Sequence, residues 1–228
     1  MRQNNHLLEE IAFWNKVIKW SIFIVTALIL LNIIDELIGH PSWQIERLIN
    51  VGLEGNFPTW FSSMLLAIAA FLAYRCAIIV KEGRSLWGLL SLGLLFMSCD
   101  EVAQIHENLG NVLNKYLFRS SGIEHSAWVI TLGPFVLLAF VIFAIKFKKY
   151  LRGSYKAMRA LIIGAIVYIF GAFILESTIN LLNHGNLEWL WKIENILEEA
   201  CELFGAIVIL IGLNKHHEFL SSAPARIL

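Results

Sequence analysis

Residues 86–108 read LWGLLSLGLLFMSCDEVAQIHEN, an apolar run whose last third contains four ionisable side chains. The run is long enough for a membrane-spanning helix, which needs about 20 predominantly apolar residues. The four side chains are those of Asp100, Glu101, His106 and Glu107. A charged side chain at the centre of a bilayer costs roughly 2.5–3.5 kcal/mol on insertion scales, so such groups usually face protein partners. The stretch therefore predicts a membrane helix that contributes to a polar site inside a helix bundle.

The composition of the whole chain agrees with a membrane protein. Of its 228 residues 57% are hydrophobic, and the mean hydropathy is +0.65, whereas soluble domains are about 45–50% apolar. The formal net charge is zero, so no basic field is present to attract nucleic acid. The three cysteines all fall in apolar runs, which does not indicate a secreted disulfide framework. We expect the partner of this chain to be the lipid bilayer.

Apolar runs divide the chain into spans. We predict an all-α polytopic membrane protein with six transmembrane helices and an N-terminal interfacial helix. This divides the chain into an amphipathic segment over 1–19, a six-span bundle over 20–214 and a cytoplasmic tail over 215–228. The predicted spans are Trp20–Leu37, Thr59–Val80, Leu86–Asn108, Trp128–Phe147, Ala160–Leu182 and Leu190–Leu213.

Local patterns add detail to this topology. Pro58 suits the first turn of the second span, and Gly133-Pro134 predicts a kink near the start of the fourth. Tryptophans near the span ends are expected to anchor the helices at the membrane interface: Trp14, Trp43, Trp60, Trp128, Trp189 and Trp191. Glycines in the last two spans are expected to allow close helix packing: Gly164, Gly171, Gly205 and Gly212.

Basic residues predict the orientation of the spans. The connection after the fourth span contains Lys146, Lys148, Lys149, Arg152, Lys156 and Arg159. Connections rich in Lys and Arg stay on the cytoplasmic side. We therefore predict a multi-pass protein of a bacterial inner membrane with both termini in the cytoplasm.

This orientation brings acidic residues together in the outer half of the membrane. Spans three and five end there and span six begins there. Asp100, Gln104 and Glu107 follow the spacing i, i+4, i+7, which predicts one shared helix face. The corresponding carboxylates of the other two helices are those of Glu176, Glu198, Glu199 and Glu202.

Few cationic residues are available near these acids, so they need protons, a metal ion or water. Helix bundles build metal sites from glutamates on facing helices. An oxygen-rich site with one imidazole suits Fe, Mn or Zn. The predicted ligands are Asp100, His106, Glu107, Glu176, Glu199 and Glu202. Glu101 and Glu198 are predicted to be catalytic groups that move protons.

Such a site could serve a metal-dependent hydrolase or oxidoreductase acting on a lipid-soluble substrate. No Gly-x-Ser-x-Gly, His-Glu-x-x-His or glycine-rich phosphate motif identifies an enzyme class. Two alternatives stay open: a cation or proton pathway, and an assembly protein with a protonated polar core. A pathway needs polar residues that continue to the inner side. Those predicted there are few: Thr26, Arg75, Ser91 and Tyr168.

A pair of motifs links the chain to other sequences. Residues 56–60, Asn-Phe-Pro-Thr-Trp, are followed by Asp100-Glu101-x4-His106-Glu107. This combination resembles a bacterial multi-span membrane protein family of unassigned function. The resemblance covers the first three predicted spans and implies no activity.

Overall fold

The computed structural model describes residues 2–118, 127–178 and 188–222. Within these ranges the chain is helical and has no β-strand. The α-helices are α1 Arg2–Leu37, α2 Trp43–Ile49, α3 Phe57–Ile79, α4 Arg84–Ala103, α5 Ile105–Leu113, α6 Ala127–Thr131, α7 Gly133–Phe147, α8 Tyr155–Ile169 and α9 Glu188–Ser222. Two π-helical segments, Asn114–Phe118 and Phe170–Leu175, follow α5 and α8, and a 3₁₀ turn, Lys148–Leu151, follows α7.

Four helical stretches within the described ranges are long and apolar enough to cross a membrane: Glu9–Leu37, Phe57–Ile79, Arg84–Ala103 and Tyr155–Thr178. They overlap the first, second, third and fifth predicted spans. Many of their large apolar side chains, such as Phe23, Leu31 and Leu92, are exposed on the protein surface, as lipid-facing residues are. The fourth and sixth predicted spans, on α7 and α9, stay predictions.

Helix α1 buries one continuous face against the rest of the bundle. Its buried residues recur at alternating spacings of four and three, which gives one continuous stripe: Trp14, Ile18, Ser21, Val25, Leu28, Asn32 and Asp35. The stripe and the helix pass without interruption through residue 19, where the sequence analysis places the end of an interfacial segment. The interfacial segment and the first span are therefore one helix.

Helix α3 begins where the sequence predicts. The side chain of Asn56 accepts a hydrogen bond from the backbone N–H of Thr59 (3.1 Å), and Pro58 lies in the first turn. An Asn cap satisfies a backbone donor that the start of a helix leaves free. The predicted position of Pro58 is confirmed.

Helix α9 lies at the centre of the bundle and packs against α8, α3, α1 and the π segment Phe170–Leu175. Its glycines permit the closest approach to α8. A Cβ at Gly205 would lie 2.7 Å from the backbone nitrogen of Tyr168, and one at Gly212 would lie 2.7 Å from Leu161 Cγ. The predicted packing role of these glycines is confirmed.

The C-terminal end of α9 carries polar side chains that are buried. The ring of His216 stacks on that of Trp87, with centroids 4.7 Å apart. His217 Nε2 lies 4.0 Å from Glu10 Oε1, and Glu10 pairs with Arg75 at 3.2 Å. Side chains from α1, α3 and α4 therefore surround this end of the central helix.

Two predicted spans are interrupted. The third does not run as one helix over Leu86–Asn108, because α4 ends at Ala103 and Gln104 has a left-handed backbone (φ 51°). The fourth breaks at Leu132, between α6 and α7. Pro134, at the start of α7, has no backbone N–H to continue the helix. The helix is interrupted beside Gly133-Pro134, where the sequence predicts a kink, whereas the break at Gln104 was missed.

Candidate functional site

Asp100 and His106 form a hydrogen-bonded pair across the break between α4 and α5. The backbone N–H of His106 donates to Asp100 Oδ1 (2.9 Å), and the ring nitrogen Nδ1 of His106 lies 2.7 Å from Asp100 Oδ2. The carboxylate thereby satisfies a backbone donor in the first turn of α5. Because the helix breaks at Gln104, the predicted single face of Asp100, Gln104 and Glu107 is wrong.

The environment of His106 favours its charged form. Burial alone would lower the pKa of the imidazole, but the hydrogen bond and negative charge of Asp100 outweigh burial. The charges of Glu176 and Glu107 add to this, and the pKa is raised to about 9. With Nδ1 bound to Asp100, Nε2 is the ring nitrogen left to bind another group.

Glu101 receives hydrogen bonds from two neighbouring helices. The hydroxyl of Ser62 on α3 donates to Glu101 Oε1 at 3.0 Å, and that of Tyr168 on α8 donates to the same oxygen at 3.2 Å. Glu101 therefore connects α3, α4 and α8. Tyr168 therefore lies with the acidic residues, whereas the sequence alone places it among the few polar residues on the opposite side of the bundle. Neither hydroxyl was predicted as a partner, because both lie in otherwise apolar runs.

Two glutamates of α9 face Glu101. Glu101 is the leading charged neighbour of both Glu199 and Glu202, and Glu202 also lies beside Tyr168. Gly171 lies in the π segment Phe170–Leu175 and lets this segment pack close to the two glutamates, since a Cβ at Gly171 would lie 3.1 Å from Glu202 Cγ. π-Helical segments occur frequently at functional sites. Three carboxylates from two helices thus converge.

Trp128 connects His106 with Glu176. Its indole Nε1–H donates to Glu176 Oε1, and its ring meets the imidazole of His106 edge to face, with centroids 5.0 Å apart. Gly110 packs against Trp128, since a Cβ at this position would lie 3.4 Å from Trp128 Cβ. Trp128 therefore belongs to the candidate site, and its expected role as an interface anchor stays a prediction.

Glu194 and Glu198 extend the group along α9. The hydroxyl of Thr178 donates to Glu194 Oε1. The other oxygen, Oε2, is buried and has no hydrogen-bond partner within the described ranges. Glu198 is buried too and has Glu176 and Glu194 as its leading charged neighbours. Buried carboxylate oxygens normally have a hydrogen-bond partner, and Glu194 Oε2 is an exception among the residues that the structure describes.

The structure thus brings the predicted site residues into one neighbourhood: Asp100, Glu101, His106, Glu107, Glu176, Glu198, Glu199 and Glu202. We call these eight residues the carboxylate cluster. Among the side chains that the structure describes, no three His, Cys, Asp or Glu residues are already arranged as ligands of one metal ion. The predicted ligand set stays a prediction.

No curated protein and no solved structure matches the chain. A family model described as "Domain of unknown function (DUF8692)" matches residues 21–215. The match includes every residue of the carboxylate cluster, as well as Ser62, Trp128 and Tyr168. The resemblance to a family of unassigned function is confirmed: the chain belongs to the DUF8692 family.

Proposed function

We propose that this chain is a six-span protein of a bacterial inner membrane whose carboxylate cluster binds one divalent metal ion, Fe, Mn or Zn. Both termini lie in the cytoplasm, and the cluster lies in the outer half of the bundle. Helices α6–α7 and α9 supply the two further spans. Helix α9 can carry glutamates because α1, α3 and α8 separate much of it from lipid.

The convergence of Glu101, Glu199 and Glu202 is the observation that carries this proposal. Two carboxylates 4 Å apart repel each other by about 4 kcal/mol at an effective dielectric constant of 20. Several of them in one buried place therefore need protons or a cation. A divalent metal ion neutralises two charges at once, and glutamate oxygens of facing helices are ligands that such ions take in bundles.

An apolar layer below the cluster favours a closed site over a continuous pathway. Helices α3 and α9 meet there through residues that are almost entirely buried: Leu65, Leu66, Ala69, Leu72, Ala73, Leu203, Ala206, Ile207, Leu210 and Leu213. A charged solute would lose its hydration in such a layer without gaining polar partners. The cluster is therefore better suited to hold a cation than to conduct one across the membrane.

A bound metal ion would polarise an oxygen of a lipid-soluble substrate or activate water or O₂, which suits a hydrolase or an oxidoreductase. The protein's own groups would hold and move protons around it. Asp100 fixes the orientation of His106 and leaves Nε2 facing away from the pair. Glu198, buried beside Glu176, is the second group placed to exchange a proton.

Elemental analysis of the detergent-purified protein tests the proposal. We expect about one Fe, Mn or Zn per chain in the wild type, and a loss of most of it in Glu199→Gln and Glu202→Gln. The control is Glu9→Gln, because Glu9 is exposed on α1 and outside the cluster; it should keep the metal. Circular dichroism establishes that all four proteins are folded. Folded wild-type protein that binds no metal after reloading with Fe, Mn or Zn would refute the proposal.

A protonated polar core is the second candidate, and the burial of Glu194 and Glu198 favours it, because burial disfavours the charged form of a carboxyl group. In that case the carboxyl groups are neutral and the protein is an assembly partner without a metal. The same preparations separate the two candidates. A metal-free wild type, together with Glu→Gln variants that are as stable as it is, would support the polar core.

A further inference from the structure

A pocket of about 280 Å³ lies at the outer face of the protein, between α2 and the connection to α3. Its wall is formed by Trp43, Glu46, Arg47, Leu53 and Glu54. The first three belong to α2, none of whose residues is buried. The part of the wall that α2 contributes is therefore accessible to solvent.

Glu54 connects this pocket to the carboxylate cluster. It is exposed at the pocket, yet its charged neighbours on the protein side are Glu107, Glu101 and His106. Glu54 is also among the charged neighbours of Glu199 on α9. Glu54 is thus open to solvent at the pocket and lies within electrostatic range of the cluster.

Hydrogen bonds fix the segment that carries Glu54. The backbone N–H of Val51 donates to Asn32 Oδ1 of α1 (2.6 Å), and the Asn56 side chain donates to the carbonyl of Asn50 (2.6 Å). Thr59 Oγ1 donates to Glu54 Oε2 at 3.4 Å. The segment also touches α9, since Gly52 leaves no room for a Cβ beside Asn195. Glu54 is therefore held over the outer part of α9.

The charges of the pocket select the kind of ligand. Its wall contains two carboxylates and one guanidinium, that of Arg47, which lies over the ring of Trp43 at 5.5 Å. The carboxylate cluster lies behind it. Clefts lined mainly by one sign of charge attract ions of the opposite sign and raise their association rates. A cation is attracted along this direction, and an anion is repelled.

We propose that this pocket is the inlet of the carboxylate cluster, and that Glu54 passes a divalent cation from the outer aqueous phase to Glu101, Glu107 and Glu199. The inference rests on the proposed metal-binding function of the same cluster. Glu54 acts on the movement of the ion and is not one of its final ligands.

Mn²⁺ binding to the full-length, metal-free protein in detergent tests this role. The loss of free Mn²⁺ is followed by stopped flow with a fluorescent chelator, and release is measured with excess chelator. Glu54→Gln should slow association and dissociation together, each by about tenfold, and leave saturating occupancy unchanged. The matched control is Glu46→Gln, from the same pocket wall; it should change both rates by less than about twofold, since Glu46 faces His40 at 3.5 Å.

Two results would overturn the inlet. One is a Glu54→Gln variant with wild-type rates, which would place Glu54 off the route. The other is faster dissociation with unchanged association, which would make Glu54 a ligand. Failure of the proposed function is recognised separately, because the wild type then binds none of Fe²⁺, Mn²⁺ and Zn²⁺.

If the wild type binds no metal ion, carbodiimide labelling tests whether the pocket gives access to the carboxylate cluster. A water-soluble carbodiimide with an amine should modify Glu101 or Glu199 in the wild type, as read by peptide mass. Leu53→Trp, which fills the pocket, should reduce the labelling severalfold. Labelling that is absent in the wild type or equal in both proteins would refute the inlet.

Discussion

The two carboxylate oxygens of Asp100 bind two different nitrogens of one residue, His106. One oxygen accepts the backbone N–H at 2.9 Å, and the other lies 2.7 Å from the ring nitrogen Nδ1. The pair closes the turn in which Gln104 is left-handed. One side chain therefore both ends a membrane helix and orients the histidine of the carboxylate cluster.

Replacing Asp100 with Asn should affect stability and the titration of His106. Asn keeps an acceptor for the backbone N–H but loses the charge opposite the imidazole. We expect a loss of about 1–3 kcal/mol in the free energy of unfolding and a pKa of His106 that falls from about 9 towards 6.5. Denaturant unfolding and NMR of ¹⁵N-labelled histidine measure the two effects. Gln104→Gly, which suits the left-handed backbone, should keep the wild-type pKa of His106; an unchanged pKa in Asp100→Asn would contradict the role of the pair.

A methyl group at Gly205 should separate α8 from α9. It would lie 2.7 Å from the backbone nitrogen of Tyr168, an atom that cannot move without its helix. We expect Gly205→Ala to lower the free energy of unfolding by about 1–3 kcal/mol. Gly93→Ala is the matched control, since no atom lies within 4 Å of the added methyl group and Ala favours helix by up to about 1 kcal/mol. Equal stability of the two variants would show that the close approach is not needed.

The stability of the protein should depend on pH through His40. Its Nδ1 lies 2.8 Å from Asp35, and Glu36 and Glu46 lie within 3.5 Å of its ring; Glu36 in turn pairs with Lys192. The hydrogen bond with Asp35 is the main cause that raises the pKa of His40 above 6.5. Because the folded state binds this proton more tightly, the stabilisation is complete below pH 6.5 and is lost as the pH rises through the raised pKa.

Thermal unfolding of wild type and His40→Asn across this pH range measures the contribution of His40. Asn tolerates the positive φ of 55° at this position but does not titrate. The difference in Tm between the two proteins should be largest in acid and shrink above pH 6.5. A difference that is constant with pH would show that the charge of His40 does not stabilise the fold.

Trp128→Phe should weaken the outer end of the bundle. Phenylalanine keeps a ring beside His106 but lacks the N–H that Trp128 donates to Glu176. We expect a loss of about 1–3 kcal/mol, the usual range for a hydrogen bond to a charged group. Trp60→Phe is the control, because Trp60 is 53% exposed, and it should change stability by less than about 0.5 kcal/mol. Equal losses of stability in both variants would show that the hydrogen bond to Glu176 adds nothing and that Trp128 acts only as an interface anchor.

Hydropathy and local capping signals predicted much of the helical organisation. Within the described ranges, apolar runs located four helical stretches that are both long and apolar enough to cross a membrane, and Pro58 located the start of α3. The break at Gln104 was missed because Gly or Asn usually marks a left-handed residue, and neither is present there. Its cause is the forward contact of the Asp100 side chain with His106, which spacing on an ideal helix cannot reveal.

The acids of the candidate site were predicted more fully than their partners. Charged residues stand out in apolar runs, so Glu176 and Glu202 were readily identified. Ser62, Tyr168 and Trp128 are ordinary members of such runs, and only the packing of α3, α6 and α8 makes them hydrogen-bond donors to Glu101 and Glu176. These three donors can be identified only from contacts between helices that are distant in sequence.

Helix α9 is continuous from Glu188 to Ser222, about 52 Å at 1.5 Å per residue, which exceeds the roughly 30 Å of a bilayer's hydrocarbon core. A straight helix resists compression along its axis, so axial sliding or rotation at Glu199 also displaces His216 and His217. These two histidines contact Trp87 and Glu10 at the opposite end. Any movement of α9 at the carboxylate cluster would therefore also change its packing against α1 and α4 at the other end of the helix.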